Sequence, residues 1–264
     1  MKNFVFLLAL LFCCGELSAA DARQKPVFLY SRYFNAVGET RYLPDGTYKQ
    51  VLDLMRSEFD VRVHNEALSG RTFADVNVIL IANPSDKAAG TNPPPPHVTI
   101  RDIAALTEYV AKGGGLIVMG NQENHNLETQ DMNRLLSHFG LQFTNLYTDV
   151  KGLLLPKETP IIGGLHWGYY TGNLVLVSSN NPAKPRALVM NDISVQPLNG
   201  SRNAPGPLMA IAEYGRGRVV VVTDSGWISN DVLNDKGIGG FAVKGQQSWE
   251  IFRRLAHWAA GEKQ

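Results

Sequence analysis

Five short stretches of the chain bring together side chains suited to binding or proton transfer. They are Arg32-Tyr33-Phe34-Asn35, Asn83-Pro84-Ser85-Asp86, Asn121-Gln122-Glu123-Asn124-His125-Asn126, Val150-Lys151-Gly152 and Asp224-Ser225-Gly226-Trp227. His125 carries an imidazole that titrates near neutral pH, as a general base requires, although a local hydrogen bond in a loop would employ it equally well. Asn83, Asn121, Asn124 and Asn126 each offer a donor and an acceptor, the pattern that sugar hydroxyls need. Asn126 also suits the N-cap of a helix beginning near Glu128. Arg32 and Arg41 present planar forks that match a carboxylate, and Tyr33 and Lys151 supply a phenol and an amine for the same group or for proton abstraction. Asp224 ends an apolar run where aspartate is a poor strand former, so it serves either as an acid or as a turn cap. Trp227 beside it could stack on a sugar ring or plug the core.

Other groups carry less. Glu123 and Glu128 could form the carboxylate pair of a glycoside hydrolase, but Glu128 falls in a first helical turn, where a carboxylate favours the helix dipole. His166-Trp167-Gly168-Tyr169-Tyr170 is an aromatic cluster in an expected loop. The six histidines show no paired spacing, so no metal motif is read. Gly215-Arg216-Gly217 lacks the third glycine and following helix of a phosphate loop. No cofactor is expected.

The elements that must position these groups follow from periodicity. Pro26–Ser31, Val76–Ala82 and Leu116–Met119 are apolar runs expected as buried strands, with Asp60–Asn65 an alternating outer strand. Helical stripes cover Gly46–Phe59, Thr99–Lys112 with Thr99 as N-cap, Glu128–Phe139 and Gln246–Ala260, the last with Trp249, Phe252, Leu255 and Trp258 inward. The second half turns β-rich, with strands at Asn173–Ser178, Arg186–Met190, Leu208–Tyr214 and Arg218–Thr223 and a hairpin turn at Gly215-Arg216-Gly217. That order predicts a mostly parallel sheet with helices on both faces, whose ligand site lies beyond the carboxyl ends of the strands. The Arg32, Asn83, Asn121 and Asp224 loops should therefore meet on one rim.

Met1 to Ala22 reads as a signal peptide, with a basic start, an apolar run too short to span a bilayer and small residues at its end. The expected location is periplasmic or secreted, with residues 23–264 as one α/β domain. Cys13 and Cys14, the only cysteines, fall inside that segment, and Phe12 before Cys13 argues against a lipid anchor. The exported chain then has neither disulfide nor cysteine metal site. Charge is balanced, 25 Lys and Arg against 24 Asp and Glu, and no basic run suggests a nucleic-acid partner. Nothing in the sequence speaks to oligomeric state.

Two resemblances emerge from these residues. Ile79–Asn83, a helix, then Tyr109–Asn121 (YVAKGGGLIVMGN) resembles the class I glutamine amidotransferase-like superfamily, in which a turn after the strand carries a nucleophilic cysteine. Here that turn falls at about Gly120, and no exported cysteine exists, so glutaminase chemistry is excluded. A wider likeness, through RYFN, LIANPSDKAAGTNPPPP, MNRLLSHFGLQF, VKG and VVVVTDSGWISND, is to the amidotransferase-like domain appended to some bacterial unsaturated glucuronyl and rhamnogalacturonyl hydrolases. The resemblance implies a flavodoxin-like, three-layer amidotransferase-like sandwich and a setting of uronate-glycan breakdown, with a uronate-containing oligosaccharide as partner. Two functions follow. One is a binding module holding a uronate with Arg32 or Arg41 and hydroxyls with Asn121 and Asn126. The other is a dehydratase or lyase that abstracts the proton beside the carboxylate with Tyr33, His125 or Lys151. A structural or protein-interaction module is the third possibility.

Overall fold

The computed structural model describes residues 24–87, 93–122, 125–144, 146–191 and 204–262. The expected signal peptide, Glu123 and Asn124 lie outside the described residues. Three runs without a polar interruption, β1 (Val27–Ser31), β3 (Val78–Ala82) and β4 (Gly115–Met119), are buried along their whole length. With β2 (Asp60–His64), β9 (Arg186–Asn191), β10 (Gly206–Tyr214) and β11 (Gly217–Val222) they form a seven-stranded sheet in the order β2-β1-β3-β4-β11-β10-β9. The pairings from β2 through β11 are parallel, and β10 alone runs against both its neighbours.

Alternation along the strands divides the core in two. Phe28, Tyr30, Leu80, Ile117 and Val220 pack with α1 (Lys49–Met55) and α5 (Ser248–Ala259). Leu29, Ile79, Ile81, Leu116 and Val219 pack with α2 (Ile100–Ala111) and α3 (Gln130–Ser137). Trp249 is only partly buried at the edge of the first cluster, because it begins the helix and not its inner stripe.

The hairpin signal is sound: Tyr214 pairs with Gly217, and Gly215 turns the chain at φ +59°, where a Cβ would also come within 2.4 Å of the Ala111 carbonyl. Asn173–Ser178 does form a strand, β8 (Val175–Val177), but it pairs with β5 (Leu141–Phe143) outside the main sheet. The ladder of β6 (Leu153–Leu154) with β7 (His166–Trp167), and α4 (Asn230–Leu233), have no clear sequence pattern because each is under five residues long.

Thr99 caps α2 in a capping box, its hydroxyl accepting from Asp102 N–H at 3.2 Å while Asp102 accepts from Thr99 N–H at 2.8 Å. Thr99→Ala is expected to lower stability by about 1 kcal/mol in urea unfolding, since an orphaned N-terminal amide costs about that much.

Candidate functional site at the strand-end rim

The chain passes from β1 to β2 on one side of it and to β3 on the other, so β1 and β3 flank a switch point, where ligands of such sheets bind. Because β1, β3, β4 and β11 are parallel, Arg32, Asn83, Asn121 and Asp224 all follow strand ends on the same edge. The expected convergence of four loops is observed. What those residues do there differs among them.

Asn121 is a structural junction. Its Oδ1 accepts from Ser225 N–H, its Nδ2 donates to Tyr42 Oη at 3.0 Å and to His125 Nδ1 at 3.2 Å, and its carbonyl accepts from Asn173. Its N–H donates to Asn83 Oδ1 at 3.0 Å, and Asn83 in turn donates to the His125 carbonyl at 3.1 Å from a left-handed backbone, φ +47°. Both amides, placed in the sequence as sugar ligands, are thus buried and engaged in tying β3, β4 and β11 together.

This network also decides the proton on His125. Ser225 N–H fixes Asn121 Oδ1, so the amide nitrogen faces Nδ1, which must be the acceptor and leave the proton on Nε2. The nitrogen that would act as a base is occupied. Burial first, and the Arg41 charge second, hold this imidazole below its ordinary pKa, and protonating Nδ1 would also set two donors face to face. We expect the His125 ring proton in an NMR titration to move below pH 6.5, and Asn121→Ala to shift that midpoint upward.

Arg41 makes a two-pronged ion pair with Glu39, Nη2 to Oε2 at 2.7 Å and Nε to Oε1 at 2.9 Å, and reaches the His125 carbonyl at 3.3 Å. Lys151 pairs with Asp149, donates to the Tyr170 carbonyl at 3.0 Å and sits over the Phe241 ring at 5.4 Å. Asp224, 1% exposed, accepts from the backbone N–H of Tyr170 at 2.9 Å and of Gly226 at 2.6 Å. Burial raises its carboxyl from the ordinary 3.8 to about 6 in spite of those bonds. Trp227 is fully buried, its ring edge-on to Trp167 and Phe252 and its N–H on Met119 Sδ at 3.3 Å. It fills the core and offers no face to the rim. Asn126 is a left-handed turn residue at φ +58° whose carbonyl accepts from Asp86. The cap of α3 comes from Glu128, whose carboxylate accepts from Asp131 and Met132 N–H at 2.8 and 2.9 Å.

Two of the expected residues do face open space. Arg32 and Tyr33 line a cavity of about 480 Å³ with Asn35, Ala36, Val37, Gly38, Asn65 and the Pro93, Pro94 and Pro96 side of the next loop. Arg32 lies beside the Tyr30 hydroxyl, where its charge and hydrogen bond oppose the rise that burial imposes on that phenol. No carboxylate among the described residues pairs with Arg32, and its buried Nε has no acceptor. Asn35, 9% exposed, donates to the Ala82 and Asn83 carbonyls at 2.9 and 3.0 Å and leaves a buried Oδ1 without a donor. Asn35 and Asn65 were not singled out as site residues in the sequence; the former stood in the quoted RYFN stretch, and its position after β1 was the available signal.

Among the described residues one metal-like constellation exists: His97, Glu128 and Asp131 bring one ligand atom each within 4.8 Å of the others. The helix cap accounts for Glu128, and His97 Nδ1 to Asp131 at 3.2 Å accounts for the pair. Position 120, where the amidotransferase resemblance places a nucleophile, is glycine, and a Cβ there would lie 2.7 Å from Leu127 Cδ1 and 2.9 Å from Phe143 Cζ.

No family model matches the chain, and no curated protein matches its sequence. Solved structures do. The "mmIFT52 N-terminal domain" is 16% identical with a TM-score of 0.64, over 89% of this chain and 97% of that one. Cytoplasmic Protein STM1381 from Salmonella typhimurium LT2 is 14% identical with a TM-score of 0.54, over 89% and 99%. A ThuA-like protein from Bacteroides uniformis is also among the neighbours, 12% identical with a TM-score of 0.49, over 90% and 94%. At these identities the likeness is one of α/β fold.

Proposed function

We propose that this chain is an exported, non-catalytic module that binds uronate-containing oligosaccharides at the strand-end rim, on a flavodoxin-like three-layer sandwich. The observation that carries the reading is Arg32: a half-buried guanidinium at the mouth of a 480 Å³ cavity, beside the switch point, with no carboxylate among the described residues paired to it. A cation so placed favours an anionic ligand, and Arg is the side chain whose fork fits a carboxylate. The export and glycan parts rest on the leader-like first segment and on the sequence resemblance. Among the described residues no helix is long and apolar enough to cross a membrane. Glutaminase activity has no support, since position 120 is glycine and a side chain there would have to push aside the ends of Leu127 and Phe143.

One observation favours the eliminating enzyme as a second reading. Tyr33 lines the same cavity as Arg32, which puts a phenol near the group that would hold the carboxylate. His125 and Lys151 lack that placement, since the first has its basic nitrogen occupied and the second is paired with Asp149.

Titrating the purified chain calorimetrically with oligogalacturonides and with their carboxyl-reduced, neutral counterparts separates the readings. The binding module predicts saturable heat with the acidic sugars alone and flat ultraviolet absorbance. A rise in absorbance that Tyr33→Phe abolishes would establish the enzyme. Absence of heat and absorbance change with every sugar would overturn both.

A further inference from the structure

We infer that the cavity beside β1 is a subsite for one hydroxy-carboxylate ring, in which Arg32 takes the carboxylate and Asn35 Oδ1 takes a ligand hydroxyl. This deepens the rim-binding reading and rests on it. Unmet hydrogen-bond capacity points to this subsite. Within five residues the chain leaves three buried polar atoms unpaired: Ser31 Oγ, Arg32 Nε and Asn35 Oδ1. Two of the three, on Arg32 and Asn35, belong to residues that line one cavity, and since buried polar groups are nearly always paired they mark a place that an outside molecule completes.

The orphans specify that molecule. Arg32 Nε–H lacks an acceptor and, with no ion pair among the described residues, asks for an anionic one. Asn35 asks for a donor: its Nδ2 is held by the Ala82 and Asn83 carbonyls, which fixes the amide so that Oδ1 is the free end. A ligand with an acceptor carboxylate and a donor hydroxyl on one small frame meets both. The nearest acid of the same loop, Glu39, is neutralised by Arg41, so Arg32 supplies the uncompensated charge. Pro93, Pro94 and Pro96 form an apolar wall for the non-polar face of a ring, and their fixed backbone angles preorganise it.

Neither the Arg32 nor the Asn35 orphan atom touches solvent, so the inference requires the cavity lining to shift on binding, with the Ala36–Gly38 turn as the segment proposed to move. That turn is equipped to give way, with Val37 59% exposed and Gly38 at φ +76°.

The test uses the full purified chain and three one-ring probes: galacturonate, galactose and cyclohexanecarboxylate. The inference predicts that galacturonate displaces an oligogalacturonide in calorimetric competition and slows amide exchange in residues 35–38. Galactose, lacking the anion, and cyclohexanecarboxylate, lacking the hydroxyls, should each be at least about tenfold weaker, the loss of one charge-assisted or one well-placed bond. Arg32→Gln should weaken galacturonate by about tenfold or more. Because that substitution also touches the Tyr30 contact, Val37→Glu provides a second arm: an exposed carboxylate at the mouth should repel galacturonate and leave the fold unchanged. Oligogalacturonide binding that survives both substitutions would overturn the subsite while leaving rim binding intact elsewhere. Equal binding of cyclohexanecarboxylate and galacturonate would overturn the Asn35 contact. If no acidic sugar binds at all, the wider reading falls and the subsite with it.

Discussion

Asn121→Ala is expected to lower stability by about 3–5 kcal/mol, read as a drop in the urea midpoint and a fall in melting temperature of roughly 10 °C. The effect is large because one side chain serves three partners. Its removal orphans the Ser225 N–H, the Tyr42 hydroxyl and His125 Nδ1 together, in a site 6% exposed where water does not replace them. Each unmet buried group costs about 1–3 kcal/mol. The damage should spread, since Tyr42 packs against Tyr48 at 5.5 Å and Tyr48 donates to the Ser225 carbonyl. Asn126→Gly provides the contrast. Asn126 stands five residues away in the same loop at φ +58°, a geometry glycine adopts freely, so that change should alter stability by less than about 0.5 kcal/mol. If the two substitutions had equal effects, the account of Asn121 as a junction between strands would be wrong.

Asp224 should leave a signature in pH. Its folded carboxyl titrates at about 6 against an ordinary 3.8, so between those values the native state holds more protons than the unfolded one. Stability from this group is therefore present below pH 3.8 and is lost as pH rises through 6. At 1.36 kcal/mol per unit the change is about 3 kcal/mol. The raw stability curve mixes in groups of opposite sign. Glu250 is one, held down to about 2 by Arg253 and Arg254, and its contribution fades as pH falls. The clean quantity is the difference between the native chain and Asp224→Asn. That difference should move in favour of the native chain by about 3 kcal/mol on acidification from pH 7 to pH 3.5. A pH-independent difference would mean the carboxyl is not held in the environment described.

Much of the fold was legible because its signals are long or chemically sharp. Three nearly all-apolar runs between turn signals fit strands covered on both faces, and Thr99 before a helical stripe announces a helix start. Two-residue ladders such as Leu153–Leu154 with His166–Trp167 carry no periodicity, so the sequence offers only a loop for His166–Tyr170 and no element at Leu153–Leu154. Sheet membership is not legible for Asn173–Ser178, since the run says that it pairs but not with which partner.

For the candidate site, position was readable and role was not. Sequence placed Arg41, Lys151, Asn83 and Asn121 near the rim, but not that Glu39, Asp149, His125 and Ser225 would use their bonding capacity. Such pairings join residues up to 104 positions apart, and residue type alone cannot report them. Trp227 illustrates the same limit: a tryptophan after a strand end is equally fit for a shelf or a core, and burial decides for the core. For Asn35 the sequence shows only an asparagine after a strand end, a common turn residue, and its unpaired Oδ1 is visible only in the structure.

The central claim is that the charge of Arg32 draws a sugar carboxylate to the rim. The most direct measurement is the affinity of an oligogalacturonide for the native chain and for Arg32→Gln, by calorimetry at pH 7 and two salt concentrations, with melting curves confirming that both are folded. The account predicts binding that weakens with salt and falls at least about tenfold in the variant, with melting temperatures within a few degrees. Equal affinity in a folded variant, or binding indifferent to salt and to reduction of the sugar carboxyls, would contradict it.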